Sequence, residues 1–212
     1  VILRTAKPKL VALDKNDLSK IVWETPLKTY KPISPVVDDK FVYAWDGEIS
    51  KPQGILKIFD LETGKISSQM GIQEIDSLPV VAGDIFVYRS GKKVLTALNL
   101  KKKEQLWQKQ FSRIYSAPVV YQNRLFQIAC GDSDPESPAH YSLFCIDLDT
   151  GVQDWSEALG IRAKEILCLP GGSLLIGMGD SKLAVCSSVD GSILWQHSFG
   201  EEKVDRIQTH LV

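Results

Sequence analysis

The 212-residue chain carries 25 Lys and Arg against 26 Asp and Glu, a net charge of −1, which leaves no basic footprint for nucleic acid or an anionic membrane. At 44% hydrophobic it can bury a core as one all-β domain. It contains no apolar run of about 18 residues and opens on no basic-then-apolar leader, so neither a membrane span nor a signal peptide is expected.

Taken in order, the chain repeats one four-strand pattern. The opening Val1-Ile2-Leu3-Arg4 aligns with Phe86-Val87-Tyr88-Arg89, so it reads as a second strand, and Ala12-Leu13-Asp14 leading to Trp23 supplies a third and a fourth. A complete unit follows: Ser34-Pro35-Val36-Val37, then Phe41-Val42-Tyr43, then Ile58-Phe59-Asp60-Leu61-Glu62-Thr63-Gly64, with Ser68 where a Trp is expected. The next has Leu78-Pro79-Val80-Val81, Phe86-Val87-Tyr88 and Ala97-Leu98-Asn99 leading to Trp107, with Lys103 in the turn where the other copies have Gly. The run Lys101-Lys102-Lys103 reads as a solvated turn.

The fourth unit is the clearest, with Ala117-Pro118-Val119-Val120, Leu125-Phe126-Gln127-Ile128, and Cys145-Ile146-Asp147-Leu148-Asp149-Thr150-Gly151 ending in Trp155. The fifth has Ile166-Leu167-Cys168, Leu174-Leu175-Ile176, and Val185-Cys186-Ser187-Ser188-Val189-Asp190-Gly191 ending in Trp195. Counting Ser68, the marks at 23, 68, 107, 155 and 195 are separated by 45, 39, 48 and 40 residues. Short strands, tight polar turns and a period in the forties predict a β-propeller of four-stranded antiparallel blades. The approximate blades are 1–26, 33–70, 76–111, 114–158 and 163–199.

A proline that opens a strand is tolerated because the ladder there does not need its missing N–H. The Asp accepts backbone N–H bonds of the following turn, and Gly supplies the positive φ such a turn requires. A Trp offers a wide apolar face with an N–H that still reaches a partner, which suits it to the wedge between blades. Asp14, Trp23, Asp60, Gly64, Trp107, Asp147, Gly151, Trp155, Gly191 and Trp195 are therefore read as structural. The closing 203–212 has the phase of a first strand. Two readings stay open: it completes the front blade of a five-bladed ring, or the chain is part of a larger ring.

The Ala/Cys-Leu/Ile-Asp, Thr-Gly and Trp phrases, with the Pro-Val-Val strands, resemble the repeats of the pyrroloquinoline-quinone-like (quinoprotein-type) propellers. The resemblance covers essentially the whole chain. It implies rings of seven or eight blades, and members that include quinone-dependent dehydrogenases and the non-catalytic outer-membrane assembly lipoprotein. WD-repeat propellers are a poorer match, because Trp45-Asp46 is a single occurrence and lies at the end of a second strand.

The dehydrogenases of that family are expected to need a vicinal cysteine disulfide and a calcium ion held by carboxylate and amide groups. This sequence has four separated cysteines, Cys130, Cys145, Cys168 and Cys186, read as buried small residues, although a bridge between Cys145 and Cys186 stays open. Asp132, Asp134 and Glu136 alternate as calcium ligands do, but the rest of a calcium loop is absent. His140, His197 and His210 are far apart in the repeat, so no shared metal site, catalytic set or cofactor is expected.

Two second-to-third-strand connections are extended. Gly91 to Leu95 and Gly179 to Leu183 are each 4 residues, whereas Gly47 to Leu56 is 9 and Gly131 to Leu143 is 12. Asp46, Glu48, Lys51, Asp132, Asp134, Glu136, His140 and Tyr141 therefore gather on one face as candidate partner-binding residues. The expectation is a non-catalytic scaffold for another protein or another domain of the same chain. Alternatives are a quinone-dependent dehydrogenase fragment and a small-ligand or carbohydrate sensor. Family habit points to the periplasm or another extracytoplasmic site, and unpaired cysteines to the cytoplasm.

Overall fold

The computed structural model describes residues 1–28, 33–48, 51–131, 141–179 and 181–200. In them the chain forms five antiparallel sheets, each a meander of consecutive strands. The first contains β1 (Ile2–Arg4), β2 (Lys9–Leu13) and β3 (Ile21–Pro26). The second contains β4 (Val36–Val37), β5 (Phe41–Gly47), β6 (Gln53–Asp60) and β7 (Ile66–Gln73). The third contains β8 (Val80–Ala82), β9 (Ile85–Ser90), β10 (Val94–Asn99) and β11 (Glu104–Gln110).

In the fourth, β12 (Arg113–Ile114) and β13 (Val119–Tyr121) are two pieces of an interrupted first strand, and both pair with β14 (Arg124–Cys130). β15 (Ser142–Asp147) and β16 (Gln153–Ala158) complete that sheet. The fifth contains β17 (Ala163–Cys168), β18 (Leu174–Met178), β19 (Lys182–Cys186) and β20 (Ile193–Ser198). The proposed closing strand at 203–212 lies outside the described residues.

First strands of successive sheets are neighbours, β4 beside β8, β8 beside β13 and β13 beside β17, so the sheets fan outward from an inner row. This is the architecture of a β-propeller. The core is divided among the wedges. One apolar cluster joins sheets one and two around Leu10, Trp23, Val42 and Phe59, and similar clusters fill each later wedge. Second strands are covered on both sides, so β5, β9 and β14 are buried along most of their length and read as unbroken apolar runs. Fourth strands alternate because one side faces solvent.

Three of the four described wedges are pinned at the corner after the third strand. Trp23 and Trp107 are both 8% exposed; their indole N–H groups donate to Leu61 O at 2.9 Å and Leu148 O at 2.8 Å, each in the next sheet. Their rings lie on Gly64 and Gly151, where a Cβ would come within 2.5 and 2.7 Å of ring atoms. Those glycines also hold φ of 66° and 73°, so the position excludes side chains twice over. A bulge beside each Trp shifts the ladder between Ala12 and Leu13, Ala97 and Leu98, and Cys145 and Ile146, re-aiming the fourth strand.

Trp155 lies on Gly191 in the same way, but its corner carbonyl, Ser188 O, accepts from the Arg124 guanidinium at 3.3 Å. The wedge between sheets two and three departs further. Ser68 replaces the indole, and the residue that would lie beneath it is Lys103, at φ 57°. Part of the lost volume is recovered from inner strands. Ile58 stands opposite Ser68 where Ala12 and Ala97 face tryptophans, and Tyr43, Phe86 and Tyr88 pack with centroids 6.2 and 5.9 Å apart. Trp195 has no later sheet over it among the described residues; it is 50% exposed and stacks on His197.

The corners themselves are closed by carboxylates. Asp147 Oδ1 accepts from the Thr150 N–H and hydroxyl at 2.8 and 2.6 Å, and Asp60 Oδ1 accepts the same pair from Thr63 at 2.8 and 2.7 Å. The threonine hydroxyl bonds are the main reason both carboxyls sit below the usual range, and the Ser192 hydroxyl does the same to Asp190.

Three outcomes follow from the wedge geometry. Trp107→Ala should destabilise by about 3–5 kcal/mol, whereas Trp195→Ala should cost under about 0.5 kcal/mol, as read from urea midpoints. Ser68→Trp and Lys103→Gly should be coupled: the indole clashes with the Lys103 Cβ alone, and the double variant should recover about 0.5–3 kcal/mol relative to the sum of the singles. Carboxyls depressed by folding contribute stability above the unfolded pKa and lose it as pH falls through the folded value. The urea midpoint should therefore hold from about pH 7 to 5 and drop below about pH 4, less steeply in Thr150→Val.

Candidate functional site

Second-to-third-strand connections and fourth-to-first-strand connections share one face of the propeller; the glycine corners occupy the other. On the first face the connections at 91–93 and 179–181 are short, and those at 48–52 and 131–141 are longer. Asp132, Asp134, Glu136 and His140 lie outside the described residues.

Asp46 is turned inward and 4% exposed. Its carboxylate takes an ion pair from Lys57 Nζ at 2.6 Å and a hydrogen bond from the Lys28 N–H at 2.6 Å. It also faces Arg4, whose pKa burial lowers and Asp46 raises. Arg4 in turn donates to Ile33 O at 3.1 Å and Trp45 O at 3.4 Å. A buried carboxylate survives only when cations and N–H groups converge on it, and here they come from both sheets. Asp46 thus fastens sheet one to sheet two. Below it Trp45 fills the space over Gly47 and Gly54, a cross-strand pair with no room for a Cβ.

Glu48 and Lys51 are exposed and joined at 2.8 Å across the connection, and the Lys51 ammonium holds the Glu48 carboxyl below its ordinary range. Tyr141 is buried and stacks on Tyr115, with centroids 4.0 Å apart at 21°. The Arg113 guanidinium lies 5.7 Å from the Tyr115 ring centre, a cation–π arrangement at the base of the longest connection. Burial first, then the neighbouring Tyr141, raises the Tyr115 phenol to about 12.

Arg89 was not singled out from the sequence, yet it repeats between sheets three and four the role that Arg4 has between sheets one and two. It donates to Asp76 O at 2.9 Å and Ile114 O at 3.4 Å, and its guanidinium lies 3.7 Å from the Asp76 carboxylate. The signal was present: Arg4 faces Leu10 and Arg89 faces Leu95 at the same repeat position.

Among the described residues the donor set that a quinone and its calcium require does not assemble. Among the described residues no three His, Cys, Asp or Glu side chains stand where they could hold a metal ion. None of the four cysteines is joined in a disulfide, so the open pairing of Cys145 with Cys186 is not formed; burial raises both of those thiols to about 11. Calcium takes six to eight oxygens from converging groups. The described residues do not fit that centre.

No curated protein matches the chain in sequence. The PQQ-repeat family model described as outer membrane protein assembly factor BamB matches residues 52–210. Among solved structures, BamB from Moraxella catarrhalis superposes with a TM-score of 0.59 at 12% identity, over 94% of this chain and 61% of that one. The quinohemoprotein alcohol dehydrogenase ADHIIG from Pseudomonas putida HK5 gives 0.63 at 13%, over 93% and 40%. A europium-containing methanol dehydrogenase gives 0.60 at 12%, over 78% and 41%. The chain thus spans less than two thirds of each of these structures, and at such identities they show a shared fold. With most of its length under that family model, the chain belongs to the quinoprotein-type repeat family of the outer membrane protein assembly factor BamB.

Proposed function

We propose that this propeller is a non-catalytic scaffold that binds another protein, or another domain of its own chain, through the face carrying the second-to-third-strand connections. The observation behind the reading is the growth of the connections at 48–52 and 131–141 on a body in which the wedges between sheets one and two and between three and four are pinned from both ends. Extended connections on a rigid frame are where such folds meet partners. The neighbouring charges Arg4, Asp46, Lys57, Arg89 and Asp76 are engaged in ties within the body, which leaves recognition to the loops and to the exposed Glu48–Lys51 pair. A periplasmic or other extracytoplasmic setting accompanies the proposal on family grounds.

The test is to replace 132–140 with a short Gly-Ser turn, which keeps the buried Tyr141, and separately to reverse Glu48 and Lys51. Peptide binders selected by phage display against the intact chain should lose about tenfold or more in affinity to these variants, while circular dichroism is unchanged. Binders indifferent to both changes would count against the face. Dye reduction by the chain with quinone and calcium would replace the scaffold reading with that of a dehydrogenase.

A further inference from the structure

We infer that the wedge between sheets two and three is a docking slot for an aromatic side chain, an indole or a phenol, presented by a partner polypeptide. The slot opens on the corner face, opposite the connections discussed above, so it does not depend on the proposed function.

Three neighbouring facts carry it. The other wedges show what chemistry belongs there: Trp23 and Trp107 place a flat ring between sheets and give an N–H to Leu61 O and Leu148 O. In this wedge the equivalent carbonyl belongs to Leu100, and Ser68 has no ring to offer it. A cleft of about 580 Å³ opens at that place, with walls that include Tyr43, Ile58, Ser68 and Leu100. Clefts at the same end of the flanking wedges, about 630 and 510 Å³, stop short of the indoles, since neither Trp23 nor Trp107 lines them. Of these three clefts, the one in this wedge alone is lined by the residue in the indole's place, Ser68, and a further cleft of about 420 Å³ in the same wedge reaches Lys103.

The walls also fix the mode of entry. The Tyr43 hydroxyl donates to Asp38 Oδ2 at 2.6 Å, which sets that ring as one side. The mouth is crossed by Lys101 and Asp84, paired at 2.7 Å with both side chains well exposed, a contact worth little and easily parted. Lys103 prevents an incoming ring from lying flat as Trp23 does on Gly64, because a Cβ there meets the ring at 2.5 Å. The ring must enter edge-on from the corner face, over Ser68 and Ile58, with its donor toward Leu100 O. The inner wall of Tyr43, Ile58 and Leu100 is apolar and the rim is charged, so a ring is received within and polar groups stay at the mouth.

The probe is the pentapeptide Gly-Gly-Trp-Gly-Gly, titrated into the chain with amide shifts followed by NMR. Half-saturation on the order of 1–10 mM is expected for a single side chain, with shifts at Ser68, Leu100 and Lys101. The Leu pentapeptide should be at least about fivefold weaker. Ser68→Trp combined with Lys103→Gly fills the slot from within and should abolish the shifts; Ser68→Phe serves the same purpose if that pair fails to fold. No shift at these amides, or shifts that persist in a folded filled variant, would overturn the proposal. Binding of free indole with exclusion of the pentapeptide would also overturn it, in favour of a small-molecule site.

Discussion

The contact on which the sheets depend is an indole from the fourth strand of one sheet resting on the glycine corner of the next; Trp23, Trp107 and Trp155 make it, and the first two also donate to a carbonyl of that corner. The contact needs two residues in different repeats to be right together. A tryptophan without the glycine meets a Cβ at 2.5–2.7 Å, and a glycine without the tryptophan leaves a bare corner. This explains why Ser68 and Lys103, which look like two independent departures along the chain, are one departure in space. Once the indole is absent, nothing forbids a side chain at residue 103 except its φ of 57°, which lysine tolerates at a modest cost. The wedge is then refilled from the second strands by Tyr43, Phe86 and Tyr88, and from the third by Ile58. That refilling is incomplete at the corner end.

The opposite end of the wedges uses charge. Arg4 and Arg89 each reach from the end of a second strand to carbonyls of the following sheet, and Asp46 with Lys57 adds a buried pair between sheets one and two. Such groups tolerate burial only with their partners in place, so they favour one arrangement of the sheets over others. With an indole at one end and a guanidinium group at the other, the wedges between sheets one and two and between three and four have little freedom to slide. Recognition on such a body falls to whatever the pins leave over, which is the grown connections on one face and the unfilled corner on the other.

A period near forty residues, the Pro-Val-Val strands and the Asp-Gly corners are local patterns, so the sheets, their order and the family were readable from the chain alone. Strand alternation and turn chemistry act over a few residues, and a one-dimensional alignment captures them. The loop residues were harder. Asp46 and Tyr141 sit in connections that read as exposed, yet Asp46 lies under the cations of Arg4 and Lys57, and Tyr141 lies against Tyr115. Arg89 entered only as a position matched to Arg4, and its ties to Asp76 and Ile114 depend on the neighbouring sheet.

Sequence by itself determined the all-β repeat, the corner residues and the places where the repeat fails. Tertiary structure decided which failures belong together, which charges are buried and where a cleft remains. The division has a physical cause: hydrogen-bonded turns and strand periodicity are set by neighbours in the chain. The contact of Trp23 with Gly64, or of Lys57 with Asp46, depends instead on the distance and angle between packed sheets.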